Sequence, residues 1–268
     1  MWGLAIALVD QIRKRSTIAG VARNQKVVLD HVGFAGGALE TMRAEWQSLG
    51  FSPTEPQELR KVAADGSVSS TGQRSCHTVF ESGYIELTEV VMPAPQHHLA
   101  PWLARGPGLH ILAFGVDDLQ AWRESLALRE TAAARLSPAM AATRRIDYGP
   151  RRGEAGFLWC MRESTETPWA LECIVQHLTP ELVHQSAVQR HPNGAQALRH
   201  VTLQCPDPHA TRALHQALYG LAPEAMSHVA GPRACCSMLE VALADLAAAP
   251  VDIPLESAPG CTLRFVAA

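Results

Sequence analysis

Four residues of this sequence combine reactive chemistry with regular placement. His31, Glu86, His110 and Glu172 each lie inside an apolar run that has the character of a buried strand. A carboxylate in such a run needs a compensating partner, because moving a lone charge out of water is costly. Two neutral imidazoles and two carboxylates suit a divalent metal, here zinc, nickel, manganese or iron, with positions left for water or substrate. The four residues therefore predict a metal centre contributed by four separate strands.

The two histidines belong to a pattern that occurs three times along the chain. Apolar, β-branched runs with a single histidine cover residues 27–34, 108–114 and 197–203. Each run is typical of a buried strand and is followed by a turn and by apolar residues at helical spacing. The repetition predicts three copies of one structural unit.

The first two units read as one strand, one helix and three further strands, and Asp118 is expected to cap the second helix. The third unit has a strand, a helix ending at Gly220 and weaker strand signals near 225–230, 234–243 and 261–266. The predicted divisions are an extension at 1–26, modules at 27–92 and 108–177 joined by a linker at 93–107, a connecting loop at 178–196, and a shorter βαβββ-like module at 197–268.

The alternation of side chains along a strand predicts which face each glutamate occupies. Ile85 and Leu87 are expected to pack beneath the first helix, which leaves Glu86 on the opposite face of its strand. In the second unit, Glu172 lies on the face opposite to Leu171. The order histidine, glutamate, histidine, glutamate thus follows the first and fourth strands of two successive units.

The composition excludes several classes of partner. The chain has 268 residues, 47% of them hydrophobic and 18% charged, with a net charge of −3. This balance gives no broad positive field, so we expect neither nucleic acid nor a membrane surface as partner, but a small molecule.

The cysteines and the N-terminal residues indicate in which cellular compartment the protein is expected. The seven cysteines form no C-x-x-C pair and lie mostly in apolar runs, which favours reduced thiols in a cytoplasmic protein. The apolar run at 1–9 is short and is followed, not preceded, by basic residues, which favours a helix or a leader outside the fold over a secretion signal.

Several short motifs together resemble a known superfamily. The chain has a histidine in the first strand, Leu-Gly-Phe at 49–51 after the helix, Tyr-Ile-Glu-Leu at 84–87 in the fourth strand, and a repeat of the unit. Over roughly residues 27–268 it resembles the vicinal oxygen chelate superfamily, and more narrowly its glyoxalase-like group. The resemblance implies an α+β fold of tandem βαβββ modules whose sheets curl into a cleft, as in glyoxalases, bleomycin-resistance proteins and extradiol dioxygenases.

The same resemblance implies a set of metal ligands. His31 and Glu86 match the ligand positions of the first module, and His110 and Glu172 match those of the second. The third module offers His200 at the corresponding position without an equally clear carboxylate on its fourth strand. We therefore expect one metal site, and a structural or interfacial role for His200.

The function implied first is that of a metal-dependent, glyoxalase-like lyase or isomerase. Such an enzyme stabilises an enediolate formed from a small oxygenated substrate of the α-hydroxycarbonyl type. Glu172, or alternatively Glu86, would act as the catalytic base. The candidate substrate-binding residues in the cleft wall are Tyr84, Thr88, His77, Phe114, Trp159 and Gln176.

Two other functions remain open at this stage. An extradiol-type iron(II) dioxygenase would use His31, His110 and Glu172 as its triad. A metal-free protein would use the cleft to sequester a small hydrophobic compound. His97 and His98, on the proline-rich linker, are expected to be solvated. An odd third unit leaves a sheet edge to be covered, which is compatible with a homodimer.

Overall fold

A computed structural model describes residues 25–92, 97–128, 135–220, 225–244 and 249–268. The N-terminal segment predicted to be a helix or leader lies outside these residues. The strands are β1 Val28–Ala35, β2 Gln57–Val62, β3 Val68–Val79, β4 Tyr84–Val90, β5 Gly108–Gly115, β6 Met140–Ile146, β7 Gly153–Met161, β8 Leu171–His177, β9 Ala195–Cys205, β10 Met226–Ala230, β11 Cys235–Leu243, β12 Val251–Pro254 and β13 Thr262–Ala267. The helices are α1 Leu39–Ser48, α2 Ala100–Leu103, α3 Leu119–Leu128, α4 Pro180–Val183 and α5 Pro208–Tyr219. Within the described residues, no helix is both long and apolar enough to cross a membrane.

The first eight strands form one closed barrel from two equivalent halves. In each half the first strand pairs in parallel with the fourth, and the third and second strands follow as antiparallel neighbours. Antiparallel pairs β1–β5 and β2–β6 join the halves and close the barrel. The α+β class and the tandem βαβββ architecture predicted from the sequence are confirmed.

The barrel has two apolar layers because successive side chains point to opposite faces of each strand. Ile85 and Leu87 pack outward with Met42 and Trp46 of α1, as the alternation predicted. Inside the barrel a second cluster contains mainly small or slender side chains, among them Ile111. The interior thus leaves room for polar groups between the strands.

The helix ends follow local sequence signals. Gly50, at a φ of 81°, follows α1 and allows the Phe51 N–H to donate to the Trp46 carbonyl at 3.1 Å, a contact that closes the helix C-terminus. The predicted cap at the start of α3 is confirmed, because Asp118 Oδ1 accepts a hydrogen bond from the Ala121 N–H at 3.1 Å.

Residues 195–268 form a five-stranded sheet whose order, β10-β9-β11-β13-β12, differs from that of a βαβββ module. After α5 the chain returns directly beside β9, so that β10 and β9 are parallel neighbours. The remaining pairs are β9–β11 antiparallel, β11–β13 parallel and β12–β13 antiparallel. The same sequence of pairings runs through β4-β1-β5-β8-β7 of the barrel. The C-terminal sheet is therefore a reduced copy of two modules, where the sequence predicted one.

The C-terminal sheet packs on the outside of the barrel. Its Leu198 and Val201 belong to the same buried cluster as Phe51 and Phe114 of the barrel. Tyr219 of α5 stacks on the ring of Phe114, with 4.1 Å between the ring centroids. The barrel and the C-terminal sheet therefore share one apolar layer.

Candidate active site

His31 and Glu86 of the first module come together inside the barrel. Both are buried, at 7% and 8% exposure, and His31 Nε2 lies 3.8 Å from Glu86 Oε2. The imidazole stacks on Tyr84, its register partner on β4, with 4.3 Å between centroids. On its other side, His31 Nδ1 lies 2.7 Å from Asp30 Oδ2.

The contact with Asp30 sets the tautomer of His31. Burial acts to raise the pKa of Asp30, but the charges and hydrogen bonds of His177 and His31 hold that pKa well below its usual range. An ionised carboxylate only accepts hydrogen bonds, so the His31 Nδ1–H must be the donor. The Nε2 atom is thereby aimed at Glu86.

The Glu86 carboxylate accepts few hydrogen bonds from its other neighbours. Gln73 Nε2–H donates to Glu86 Oε1 at 3.1 Å, and His77 Nε2 lies 3.9 Å from the same oxygen. Burial, followed by the charges of Arg144 and His31, lowers the pKa of His77 well below its usual value, so this imidazole is neutral. The carboxylate retains lone pairs that are free to meet a substrate.

The other two predicted ligands do not join this pair. The β1–β5 register contains two bulges, in which Asp30 on β1 and His110 on β5 are the extra residues. His110 Nε2–H donates to the Gly106 carbonyl at 2.8 Å, in the loop before β5. The predicted four-ligand centre, and the dioxygenase triad drawn from it, are not assembled.

Glu172 lies on the outer face of the barrel, fully buried against α5. It accepts hydrogen bonds from Arg162 at 2.7 Å, from the Tyr219 hydroxyl at 2.7 Å and from the Trp169 indole at 2.6 Å. His215 Nε2 is 2.8 Å from Glu172 Oε1. Burial would raise the pKa of Glu172, but His215 and Arg162 lower it to about 2. Glu172 therefore lies outside the cavity in which it was predicted to act as base or ligand.

The physical reason is an offset of one residue between the modules. The sequence pattern matches His31 with His110. In the structure, the leucine and phenylalanine near the ends of each strand face outward, and matching Leu29 with Leu109 and Phe34 with Phe114 places His31 opposite Ile111 in the alignment. Gly33 pairs with Glu86 in the first module, and the equivalent residue of the second module, Ala113, pairs with Cys173. Cys173 therefore corresponds to Glu86. A slip of one residue turns each side chain to the opposite face. At the two second-module positions the chain carries Ile111 and Cys173.

A different group of side chains is arranged as metal ligands. Asp30, His177 and His184 each offer one ligand atom, and these atoms lie within 4.8 Å of one another. His177 Nε2 is 3.1 Å from Asp30 Oδ1. His177 ends β8, and its ring contacts Phe157 edge-on at 5.3 Å between centroids. His184 follows α4, with its ring centroid 5.2 Å from that of His177.

The chemistry of this group fits a divalent ion. Asp30 is ionised, and burial, together with the charge of His177, lowers the pKa of His184 to about 4, so its imidazole is neutral above that pH. A neutral imidazole and an ionised carboxylate are the forms that bind metal. The Nδ1 atom of His177 is buried without a partner among the described residues. Two imidazoles and one carboxylate suit iron(II) and related first-row ions.

Only some of the predicted substrate-binding residues line the cavity of about 80 Å³ inside the barrel. Tyr84 and Trp159 line it, together with His31, Glu86 and Arg144. His77 and Thr88 lie on the same inner face, where Thr88 bonds Ser75 through the hydroxyl groups at 3.0 Å.

Two other predicted wall residues lie outside the barrel. Phe114 belongs to the outer core beneath α5. Gln176 accepts a hydrogen bond from the Leu119 N–H at 3.0 Å. Neither residue lines the cavity.

Several site residues were not expected from the sequence. Asp30 was not among the predicted site residues; it is the extra residue of the β1 bulge, which places its carboxylate next to the imidazole of His31. Arg144 and His177 continue the inward alternation of β6 and β8, a signal visible in the sequence once the register is known. His98, expected to be solvated, lines the cavity and contacts Trp159 at 5.5 Å between ring centroids.

Comparisons with known proteins agree with this architecture. A family model for a glyoxalase-like domain matches residues 29–219. A hypothetical protein from Staphylococcus aureus superposes with a TM-score of 0.67 at 9% identity, covering 90% of this chain and 100% of that chain. This likeness shows a common fold.

Further solved structures match part of the chain. Methylmalonyl-CoA epimerases from Streptomyces coelicolor and Mycobacterium tuberculosis align over 56% and 60% of this chain and 96% and 93% of theirs. Their identities are 21% and 23%, and their TM-scores are 0.36 and 0.38. No curated protein matches the sequence closely enough to count as a relative.

Proposed function

The chain belongs to the glyoxalase-like domain family of the vicinal oxygen chelate superfamily, and from this premise we propose that it is a metal-dependent lyase or isomerase. Its substrate would be a small oxygenated molecule of the α-hydroxycarbonyl type, bound inside the barrel. The observation that carries the proposal is the chain of contacts from the Asp30 group through His31 to Glu86, which lines the cavity.

Asp30, His177 and His184 are the residues that would hold the ion. When bound, a divalent ion supplies positive charge that stabilises a developing oxyanion of the substrate. The hydrogen bond from His31 to Asp30 would orient the carboxylate, as the partners of metal ligands commonly do.

Glu86 would act as the base in place of Glu172. Its carboxylate takes a proton from the carbon beside the substrate carbonyl and returns it to a neighbouring atom, so that the net reaction is an isomerisation. If a leaving group departs instead, the reaction is an elimination. Gln73 fixes one carboxylate oxygen, and His31 faces the other. Proton transfer by a positioned carboxylate contributes typically about 10²- to 10⁴-fold to the rate.

Elemental analysis of the protein as purified tests the metal site. We expect one divalent ion per chain, and a loss of most of it in Asp30→Asn and in His177→Ala. The matched control is Asp147→Asn, which changes a carboxylate elsewhere on the barrel. A protein without stoichiometric metal, whose ligand binding survives His31→Ala, would instead be a metal-free binding protein.

Proton exchange tests the base without knowledge of the product. In deuterated water, candidate α-hydroxycarbonyl compounds should lose their α-proton signal in the presence of the protein. Glu86→Gln should slow this exchange at least about 100-fold while leaving the metal content intact. Glu89→Gln, on the same strand, is the control because its partner is Arg74. Equal exchange by both variants would exclude Glu86 as the base.

A second candidate function, an iron(II) dioxygenase, is favoured by the composition of the Asp30 group. Two histidines and one carboxylate are the ligands of many non-haem iron(II) oxygenases. Oxygen uptake in the presence of iron(II) and a catechol distinguishes the two reactions. Consumption of oxygen that is lost in His177→Ala would establish the dioxygenase and exclude the isomerase.

A further inference from the structure

Arg144 is a buried cation without an anionic partner. Its exposure is 4%, and its Nη1–H donates to the neutral imidazole of His77 at Nε2. The Nε and Nη2 atoms have no hydrogen-bond partner among the described residues. Burial raises the pKa of Tyr148, whereas the charge of Arg144 and a side-chain hydrogen bond with Arg144 lower that pKa, and the Tyr148 hydroxyl itself donates to the Val183 carbonyl at 3.3 Å. The polar groups that contact the guanidinium are therefore neutral, an imidazole and a hydroxyl.

The surroundings of Arg144 provide aromatic rings in place of carboxylates. The guanidinium carbon lies 5.4 Å from the Phe157 ring centroid and 5.8 Å from that of Tyr84. No carboxylate of the described part of the chain is within ion-pair distance of it. Arginine stays protonated in proteins, and its planar fork matches a carboxylate in bidentate fashion. A buried, unpaired guanidinium that lines a cavity is thus suited to an anion brought by a ligand.

The cavity that contains Arg144 continues into a larger groove. The inner cavity, of about 80 Å³, has room only for a small head group, whereas the adjoining groove measures about 780 Å³. Leu59, His98, Ala142 and Trp159 line both spaces. A ligand that fills the inner cavity can therefore extend outward past Trp159.

The groove is mainly apolar. Its aliphatic and sulfur-containing lining includes Val62, Met92, Met140, Ala141 and Met161. Methionine side chains adapt to apolar ligands of variable shape. The charged residue of this lining, Lys61, is exposed to solvent.

We propose that the barrel binds an amphipathic monocarboxylic acid, with the carboxylate on Arg144 and an aliphatic or aryl chain in the groove. This substrate class rests on the proposed function, because it assigns the oxygenated end of the molecule to the cavity that contains Glu86. The acid would carry its hydroxyl or carbonyl group next to the carboxylate, within reach of the base.

Calorimetric titration with decanoate tests the carboxylate half of the inference. Arg144→Met removes the charge and keeps an apolar stem, and we expect it to weaken decanoate binding at least about tenfold. The matched control is Arg145→Met, which changes the exposed neighbour on the same strand and should leave binding within about twofold. Arg144→Lys, which keeps the charge, should recover part of the affinity. Equal affinities of the two methionine variants would overturn the inference.

The length of the probe tests the groove. Butyrate, which has the same head group, should bind at least about 100-fold more weakly than decanoate, because each buried methylene contributes to affinity. Decanol should bind Arg144→Met and the unmodified protein alike. Met92→Asp should weaken decanoate but not butyrate, and Val251→Asp, an exposed site on β12, should affect neither. Equal binding of butyrate and decanoate would exclude the groove.

The two proposals fail separately. Decanoate binding is measured as heat, without turnover, and it should persist in Glu86→Gln and in Asp30→Asn. Decanoate binding with the expected Arg144 dependence, in a protein that shows no proton exchange, would retain the ligand class and remove the enzymatic function. Proton exchange without decanoate binding would retain the enzymatic function and remove the ligand class.

Discussion

Two buried carboxylates, Glu86 and Glu172, differ in how completely they are satisfied. Glu172 has the guanidinium of Arg162, the Tyr219 hydroxyl and other donors around it, so its charge is balanced within the fold. Glu86 has one amide donor at 3.1 Å and imidazoles no closer than 3.8 Å. A fully bonded carboxylate stabilises structure, whereas a partly bonded one facing a cavity is available for proton transfer.

Replacing Glu172 by Gln should therefore destabilise the protein and leave its chemistry intact. The change removes the closer of the two carboxylates that contact the buried Arg162 and leaves Glu166 at 3.3 Å, so the loss should approach the lower end of the about 3–5 kcal/mol that breaking a buried pair costs. Urea denaturation measures this loss, and elemental analysis should find unchanged metal content. Glu163→Gln, at an exposed carboxylate next to Arg162 in sequence, is the control and should change stability by less than about 0.5 kcal/mol. Loss of metal from folded Glu172→Gln would contradict the assignment.

The same carboxylate makes stability depend on pH. The pKa of Glu172 is about 2 in the folded chain and about 4.3 when unfolded. A folded pKa below the unfolded value contributes stability above the unfolded pKa, and this contribution is lost as the pH falls from about 4.3 to about 2. The stability difference between the unmodified protein and Glu172→Gln should thus shrink between about pH 5 and about pH 2. A constant difference would show that Glu172 is not the titrating group.

At the scale of elements, the sequence predicts strands and helices better than it predicts their alignment. The apolar alternation of β4 assigned the faces of Ile85 and Glu86 correctly. Asp30 and His110 are the bulge residues of β1 and β5 and occupy equivalent positions of the two modules, so the counterpart of His110 is Asp30 and not His31. The alignment of the two histidines was therefore wrong by one position.

Other features escaped prediction for a different reason. Asp30, His177 and the turn after α4 meet only after the barrel closes, so their proximity depends on contacts between distant parts of the chain. β12 is a four-residue strand at the edge of its sheet and has no apolar run to mark it. Long, alternating strands were predictable from the sequence, whereas contacts set by closure were not.

The pairing of Gly33 with Ile111 offers a direct test of the register between β1 and β5. A Cβ atom added at Gly33 would lie 2.6 Å from Ile111 Cδ1, closer than packed atoms approach. Gly33→Ala should destabilise the protein by about 1–3 kcal/mol, because overpacking forces the strands to shift. Combining it with Ile111→Ala should cost less than the sum of the single changes. Strict additivity in urea denaturation would show that the two side chains do not face each other.

At the scale of the whole molecule, the barrel and the C-terminal sheet are joined by an apolar layer and by the Glu172 cluster. This shared layer buries Cys205, Cys236 and Cys261 of the C-terminal part and Cys76 and Cys160 of the barrel. Burial raises the pKa of Cys76 and Cys261 to about 12. Most thiols are thus held in their unreactive protonated form.

Thiol counting should report on this assembly. All seven cysteines are free, and Cys235 is the half-buried one. An excess of Ellman's reagent should modify about one thiol rapidly in the native protein, and Cys235→Ser should abolish that fast phase. All seven should react after denaturation without reductant. A smaller number would reveal a disulfide and contradict the reduced state.

Closure of the barrel determines where local unfolding can begin. Every one of its strands is hydrogen-bonded on both sides, so none can detach without breaking two ladders at once. The C-terminal sheet, by contrast, ends in β10 and β12, each held by one neighbour. Local opening therefore has a route that begins at β10 or β12 and spares the strands around His31 and Glu86. The barrel interior around His31 and Glu86 can stay closed while the outer sheet frays and re-forms.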